Sequence, residues 1–140
     1  MTTSRDVMTN NPVCATPDDV VADVARLMKD NDIGPVPIVE GASKKLVGIV
    51  TDRDLALKVV AEGRDPSSTK VRDVMTKDVV TCRADDEVED TLQAMSKNQL
   101  RRILVVDDSD TLVGIIAQAD IATRMNEPEK TGEVVKEISE

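Results

Sequence analysis

Apolar residues along the chain follow two different spacings, and each spacing occurs twice. One is the spacing of an amphipathic helix, seen at Val21, Val24, Ala25 and Met28 and again at Val88, Leu92 and Met95. The other is the apolar run of a buried β-strand, seen at residues 33–39, 46–50, 100–106 and 112–116. Polar turns separate the strands of each pair, and short final helices are predicted at about 52–61 and 118–126. Each half is therefore predicted as a short segment, a helix, two strands and a helix, which is a mixed α+β fold.

Local signals refine these elements. Thr16-Pro17-Asp18-Asp19 predicts a helix start, because it combines a hydroxyl cap, an early proline and carboxylates in the first turn. Asn31 predicts a left-handed stop. Pro35 and Pro37 lack an N–H and predict a strand that is partly unpaired on one side.

The two halves also share sequence. Arg-Asp-Val-Met-Thr at 5–9 returns at 72–76, and Leu-Val-Gly-Ile at 46–49 returns at 112–115. A repeat of this length that occurs only twice predicts a closed, pseudo-symmetric pair with any ligand site between its halves. With 63–69 interpreted as the linker, the predicted domains are 1–66 and 67–127, followed by a tail at 128–140.

Composition excludes much chemistry. The 140 residues include no Phe, Tyr, Trp or His and carry a formal net charge of −9. No imidazole is available for acid/base work or metal ligation, and no ring can stack on a base. The acidic charge argues against nucleic acid as a partner, and no basic stretch indicates a membrane surface. Without a signal-like or membrane-spanning segment, we expect a cytoplasmic location.

The sharpest candidate for chemistry is the segment 48–54, Gly-Ile-Val-Thr-Asp-Arg-Asp. Here a strand turns directly into a helix, whose first N–H groups favour a nearby anion. The Thr51 hydroxyl and the Asp54 carboxylate would suit a nucleoside phosphate, since a carboxylate accepts two hydrogen bonds from a ribose diol. The same spacing is also that of a capping box. Both interpretations stay open, and they are compatible. The second copy keeps Gly114 and Asp120 but has Ala117 where Thr51 stands.

Two Asp-Val-Met-Thr segments, each followed by a helix, two strands and a Gly-x-x-Thr/Ala-x-x-Asp ending, resemble tandem cystathionine-β-synthase (CBS) domains, a Bateman module. The resemblance covers about residues 5–125, and among stand-alone members it is greatest to bacterial two-CBS proteins of the hypoxic-response type. It implies a βαββα fold for each copy and commonly a homodimer. It also implies an adenosine ligand, with AMP, ADP or ATP favoured over NAD or S-adenosylmethionine, and a partner protein that the ligand regulates.

The resemblance also assigns roles to residues. Asp54 would bind the ribose hydroxyls, and Thr51 the ribose or phosphate. The remaining implied contacts are backbone at Val13 and Cys14 against the base, Ile33, Val36 and Pro37 as walls of the base slot, Arg102 and Arg53 as positive charge, and Asp120 as the counterpart of Asp54. For Arg102 a solvated strand edge is an equal alternative, and for Arg53 an ion pair on the helix surface.

These observations favour a non-enzymatic module that binds an adenosine nucleotide and needs no cofactor, because no nucleophile–base pair is visible. The alternative is a ligand-free dimerisation or stress-response scaffold in which Cys14 senses oxidants. Cys14 and Cys82 fall one residue apart in the repeat register, and a role as buried small hydrophobic residues is favoured over a redox switch.

Overall fold

Helices and strands alternate in the computed structural model, which describes residues 2–124, with side chains described through residue 121. The first half contains α1 (Ser4–Val7), β1 (Thr9–Asn10), α2 (Val21–Asn31), β2 (Val36–Glu40), β3 (Lys45–Val50), α3 (Asp52–Leu55) and a π-helical turn (Ala56–Val60). The second half contains a 3₁₀ turn (Val71–Asp73), β4 (Thr81–Arg83), α4 (Val88–Lys97), β5 (Arg102–Val106), β6 (Leu112–Ala117) and α5 (Gln118–Arg124). The predicted α+β class is confirmed. The predicted tail at 128–140 lies outside the described residues.

The chain forms two compact units, and each unit contains parts of both repeats. Of the described residues, unit 1 comprises 2–12 and 80–124, and unit 2 comprises Val13–Val79. The Asp-Val-Met-Thr segment of each repeat therefore packs within the unit built mainly from the other repeat. For this reason the units do not follow the predicted sequence boundaries 1–66 and 67–127. We call residues 2–9 and 69–76 the exchanged segments.

Unit 1 is built on a four-stranded sheet in the order β1-β6-β5-β4. β4 runs parallel to β5, while the other neighbours are antiparallel. The apolar face of α4 packs with this sheet in a core that includes Leu92, Met95, Ile103, Ile116 and Ile121. Burying a side chain of this size contributes roughly 1.5–3 kcal/mol. The core residues come from both the helical and the strand spacings seen in the sequence.

Unit 2 repeats the same order in reduced form. β2 and β3 form an antiparallel hairpin. Outside it, Ile49 of β3 forms an antiparallel bridge to Thr76, and Ile38 of β2 forms a parallel bridge to Ala15. The exchanged segment 69–76 thus occupies the place that the other exchanged segment, through β1, occupies in unit 1.

The predicted helix start at Thr16 is wrong. α2 begins at Val21, and residues 16–19 form a separate turn in which the Thr16 N–H donates to an Asp19 carboxylate oxygen at 2.9 Å. The Asp19 carbonyl is not used by the helix, because it accepts the Val71 N–H at 2.9 Å from the exchanged segment. Carbonyl groups of this turn accept hydrogen bonds from the exchanged segment and not from the N–H groups of a helix, so the helix does not begin here.

The first free N–H groups of α2 find distant acceptors instead. The Val21 N–H donates to the Thr69 carbonyl at 2.9 Å, and the Ala22 N–H donates to the Pro66 carbonyl at 3.0 Å. At the other end, the left-handed residue is Asp32 (φ 53°), one position after the predicted Asn31. Within residues 2–121, no helix has the length and apolar character required to span a bilayer.

Candidate functional site

Thr51 and Asp54 form a reciprocal cap at the start of α3. The Thr51 N–H donates to Asp54 Oδ2 at 2.9 Å, and the Asp54 N–H donates to Thr51 Oγ1 at 3.1 Å. Thr51 directly follows β3 and has extended backbone angles, which is the conformation an N-cap requires. The capping interpretation of this motif is therefore confirmed.

Capping leaves both side chains with unused hydrogen-bonding capacity. The Thr51 hydroxyl accepts in the cap and keeps its proton to donate. Asp54 uses Oδ2 in the cap, while its Oδ1 lies 3.3 Å from Lys58 Nζ. Only 16% of the Asp54 side chain is exposed. The site is a largely buried carboxylate, one oxygen of which is not used by the cap, beside a hydroxyl donor. The carboxylate can accept hydrogen bonds from a diol, and the hydroxyl can donate one to an anion.

Arg53 lies next to this cap but on the exposed side of α3. Its backbone N–H donates to Asp52 Oδ1 at 3.0 Å. Its guanidinium forms no ion pair with any side chain that the structure describes, so the predicted surface ion pair is not observed there. The Arg53 side chain is exposed positive charge one residue from Asp54.

The residues predicted to surround a base also belong to unit 2. Val13, Cys14 and Ile33 are half-buried, and Pro37 is buried. Val36 has 0% exposure and packs in the apolar core of the unit, so its side chain is placed among core residues and not at an open surface. The half-buried residues are the ones that present surface for an apolar contact.

The two remaining predicted residues, Arg102 and Asp120, belong to unit 1. Arg102 is exposed at the beginning of β5. Asp120 lies in the first turn of α5, where its Oδ2 accepts a hydrogen bond from the Thr9 hydroxyl at 3.5 Å. Asp120 thus contacts an exchanged segment through Thr9, the last residue of the repeated Arg-Asp-Val-Met-Thr, which was not predicted to contact it.

Gly48 and Gly114 allow close contact with the exchanged segments. A Cβ at Gly48 would lie 2.9 Å from both Met75 Sδ and the Thr76 carbonyl oxygen. A Cβ at Gly114 would lie 3.0 Å from the Thr9 carbonyl oxygen. These distances are shorter than van der Waals contact, so any larger residue would force the backbones apart. At both glycines, the protein's own backbone occupies the space that a side chain would need.

Charge pairing also joins an exchanged segment to unit 2. The Arg72 guanidinium donates a hydrogen bond to Asp18 Oδ1, and Lys70 Nζ lies 3.9 Å from the same oxygen. The hydrogen bond from Arg72 lowers the pKa of the Asp18 carboxyl, and the same bond raises the pKa of Arg72. In unit 1, Arg5 and Asp85 occupy the equivalent positions at 3.6 Å.

Both cysteines are free thiols, in different surroundings. Cys82 is 5% exposed, and burial raises the pKa of its thiol. A protonated, buried thiol is a poor nucleophile. Cys14 is half-buried.

Lys58 was not predicted from the sequence as part of the site. Its Nζ contacts Asp54 and also donates to the Val74 carbonyl oxygen at 3.0 Å. The only available signal was the i,i+4 spacing of an acid and a base on one helix, which is common on solvated helix surfaces.

These features define a class of protein, a duplicated α+β chain in which the first segment of each repeat packs in the unit built mainly from the other repeat. In unit 2, a capped Thr-x-x-Asp turn follows the glycine-containing strand. The family model for the CBS domain matches residues 5–61 and 71–127. The chain therefore belongs to the CBS-domain family and carries a tandem pair of these domains, as the sequence predicted.

Relatives are similar over nearly the whole chain. The CBS domain-containing protein YhcV of Bacillus subtilis is 36% identical over 139 residues, which cover 99% of this chain and 96% of that protein. Hypoxic response protein 1 of Mycobacterium tuberculosis is 33% identical over 127 residues, covering 91% of this chain and 87% of that protein.

Solved structures share the fold. A crystal structure of Hypoxic Response Protein I with two coordinated zinc ions has a TM-score of 0.79 at 31% identity, covering 89% of this chain and 99% of that one. The CBS domain pair of MJ0100, in complex with 5-methylthioadenosine and S-adenosyl-L-methionine, gives 0.75 at 30% identity, covering 88% and 94%. CBSX2 in complex with AMP gives 0.74 at 25% identity, covering 88% and 95%. Among the described residues of this chain, no group of three or more Cys, Asp or Glu side chains is arranged to hold a metal ion.

Proposed function

We propose that this protein is a non-catalytic regulatory module that binds an adenosine nucleotide through Thr51 and Asp54 and transmits its occupancy to a partner protein in the cytoplasm. The observation that carries the proposal is that Oδ1 of the largely buried Asp54 carboxylate is not used by the cap that joins this residue to the Thr51 hydroxyl. Two structural neighbours were solved with AMP or with S-adenosyl-L-methionine and 5-methylthioadenosine, which supports an adenosine compound as the ligand class.

The chemistry of the site supports a ribose contact in particular. Asp54 Oδ1 can accept from a sugar hydroxyl, while the Thr51 hydroxyl and the exposed Arg53 guanidinium can donate to ribose or phosphate oxygens. The half-buried Val13, Cys14 and Ile33 offer apolar surface for a base, in a chain without aromatic rings. AMP meets each of these requirements and is the first ligand to test.

A dye-based thermal-shift panel of AMP, ADP, ATP, NAD and S-adenosylmethionine tests the proposal, since the chain has no Trp or Tyr for intrinsic fluorescence. A ligand at about one hundred times its Kd stabilises the folded state by about 2.7 kcal/mol, which raises the melting temperature by several degrees. Guanosine nucleotides serve as the control. No shift with any adenosine compound would contradict the proposal.

We also propose that the chain forms a homodimer, the assembly implied by its resemblance to stand-alone CBS pairs. Leu57 and Val60 support this, because they leave 50% and 76% of their surface exposed three residues apart beside the candidate site. Sedimentation should give twice the chain mass of 15.2 kDa. A monomer mass at micromolar concentration would contradict it.

A further inference from the structure

Lys58 links the candidate site to an exchanged segment. Its Nζ lies 3.3 Å from Asp54 Oδ1 and donates to the Val74 carbonyl oxygen at 3.0 Å. All three residues belong to unit 2. Lys58 sits in the π-helical turn that follows α3 directly, and irregular turns of this kind inside helices occur frequently at functional sites.

The segment that Lys58 contacts is held firmly to unit 2. Val74 is 1% exposed in the core, and its neighbour Thr76 exchanges two backbone hydrogen bonds with Ile49, each of 2.9 Å. Ile49 lies in β3, two residues before Thr51. Lys58 therefore contacts a segment that belongs, by sequence, to the second repeat.

A ligand at Asp54 would share a carboxylate oxygen with Lys58. Oδ2 is occupied by the Thr51 N–H, and little of the Asp54 side chain is exposed. We therefore expect a ribose hydroxyl to donate to Oδ1, the oxygen that does not serve the cap and that Lys58 contacts. A hydroxyl that donates to Oδ1 would weaken the ion pair between Asp54 and Lys58. Lys58 would then be held less firmly in its hydrogen bond to the Val74 carbonyl.

We propose that Lys58 is a positioning residue that couples occupancy of the Asp54 site to the exchanged segment 69–76. The inference rests on the proposed function, because it assumes a hydroxyl-bearing ligand at Asp54. Coupling between two sites is reciprocal: if the ligand loosens the contact between Lys58 and the segment, removing that contact must strengthen ligand binding.

The test uses Lys58→Met with the full chain, adenosine as the probe, and Lys29→Met as a control that removes an exposed lysine of the same unit. Adenosine lacks phosphates, so loss of the lysine charge does not itself weaken binding. We expect Lys58→Met to bind adenosine about fivefold more tightly, at the low end of usual coupling strengths. Lys29→Met should match the wild type.

Hydrogen exchange supplies a second readout. In the wild type, adenosine should speed exchange of the Val74, Met75 and Thr76 amides while slowing exchange elsewhere in unit 2, since binding stabilises the remainder. In Lys58→Met, these amides should exchange fast already and not respond to adenosine. Binding with unchanged affinity and the same exchange response in Lys58→Met would overturn the coupling alone. No binding by the wild type would overturn the proposed function and the coupling together.

Discussion

Asp54 uses its two carboxylate oxygens for different purposes. Oδ2 completes the cap of α3, and Oδ1 contacts the ammonium group of Lys58. Asp6 makes the same cap in unit 1, where its Oδ2 accepts the Thr3 N–H at 2.8 Å. The chain thus contains a matched residue that caps a helix outside the candidate site, and comparing the two separates capping from ligand binding.

A buried hydroxyl pair distinguishes the interior of unit 1. Ser4 and Thr91 are 0% and 1% exposed, and their hydroxyl oxygens lie 2.6 Å apart. The equivalent positions in unit 2 are Val71 and Val24, both 0% exposed. Each exchanged segment therefore carries the residue that suits the interior in which it packs, hydroxyl with hydroxyl and valine with valine.

Removing both hydroxyls of this pair should destabilise the protein by less than the effects of the two single removals added together. Ser4→Ala leaves the Thr91 hydroxyl without its partner and should lower the free energy of unfolding by about 1–3 kcal/mol. The double variant Ser4→Ala/Thr91→Val leaves neither group unsatisfied and should lose less than the sum of the two single variants. A double-mutant cycle by urea denaturation measures this difference. Strict additivity would mean that the hydroxyls do not interact.

At the scale of elements, the fold depends on two glycines in equivalent strands that admit the exchanged segments. Gly48 faces Met75 and Thr76, and Gly114 faces Met8 and Thr9. The Met side chain can move, but a backbone carbonyl in a bridge to the same strand cannot move without breaking its hydrogen bonds.

Gly48→Ala should therefore lower the free energy of unfolding by about 1–3 kcal/mol, the usual cost of overpacking. Gly41→Ala is the control, because a Cβ there would meet nothing within 4 Å and only the left-handed backbone (φ +76°) opposes it, at a cost of roughly 1 kcal/mol. Denaturant unfolding compares the two. If Gly48→Ala is as stable as the wild type, the exchanged segment does not pack closely on β3.

The ion pair between an exchanged segment and the turn at 16–19 predicts an acid response. Because the hydrogen bond from Arg72 lowers the pKa of Asp18 below its ordinary 3.8, the folded state holds the charged carboxylate more strongly than the unfolded state does. The resulting stabilisation is complete well above pH 3.8 and is lost as the pH falls through the lowered value.

Asp18→Asn should consequently show a smaller fall in melting temperature than the wild type between about pH 5 and pH 2. High salt should reduce the difference, since both side chains are largely exposed. An identical pH dependence for variant and wild type would show that the pair contributes nothing to acid sensitivity.

The order of helices and strands could be predicted because side-chain periodicity is a local property. β3 and β6 match their predicted ranges within one residue at each end. The actual start of α2 at Val21 could not be predicted, because the acceptors of its first N–H groups belong to Pro66 and Thr69, far along the chain.

The packing of each exchanged segment in the unit of the other repeat could not be predicted from the sequence either. Both repeats begin with the same Asp-Val-Met-Thr, so pattern alone does not say which copy packs on which glycine. At the candidate site, Thr51 and Asp54 are close in sequence and formed the expected cap. Lys58 acquires its significance only from its contact with Val74, a residue of the exchanged segment.

For the whole molecule, the two units are similar in topology and unequal in chemistry. Unit 2 has the Thr51 hydroxyl, whereas unit 1 has Ala117 at that position. In unit 1, Asp120 accepts from Thr9 of an exchanged segment. We therefore expect one strong nucleotide site for each chain, in unit 2, and weaker or no binding through Asp120.

Isothermal titration of AMP into the wild type, Asp54→Ala and Asp6→Ala tests this account most directly. The wild type should bind about one AMP per chain. Asp54→Ala should bind about ten- to a hundredfold more weakly, because a charge-assisted hydrogen bond contributes about 1.5–3 kcal/mol. Asp6→Ala loses an equivalent cap and should keep wild-type affinity. Equal affinity of Asp54→Ala and the wild type, or no heat with AMP at all, would contradict the assignment of Asp54 as the ribose-binding residue.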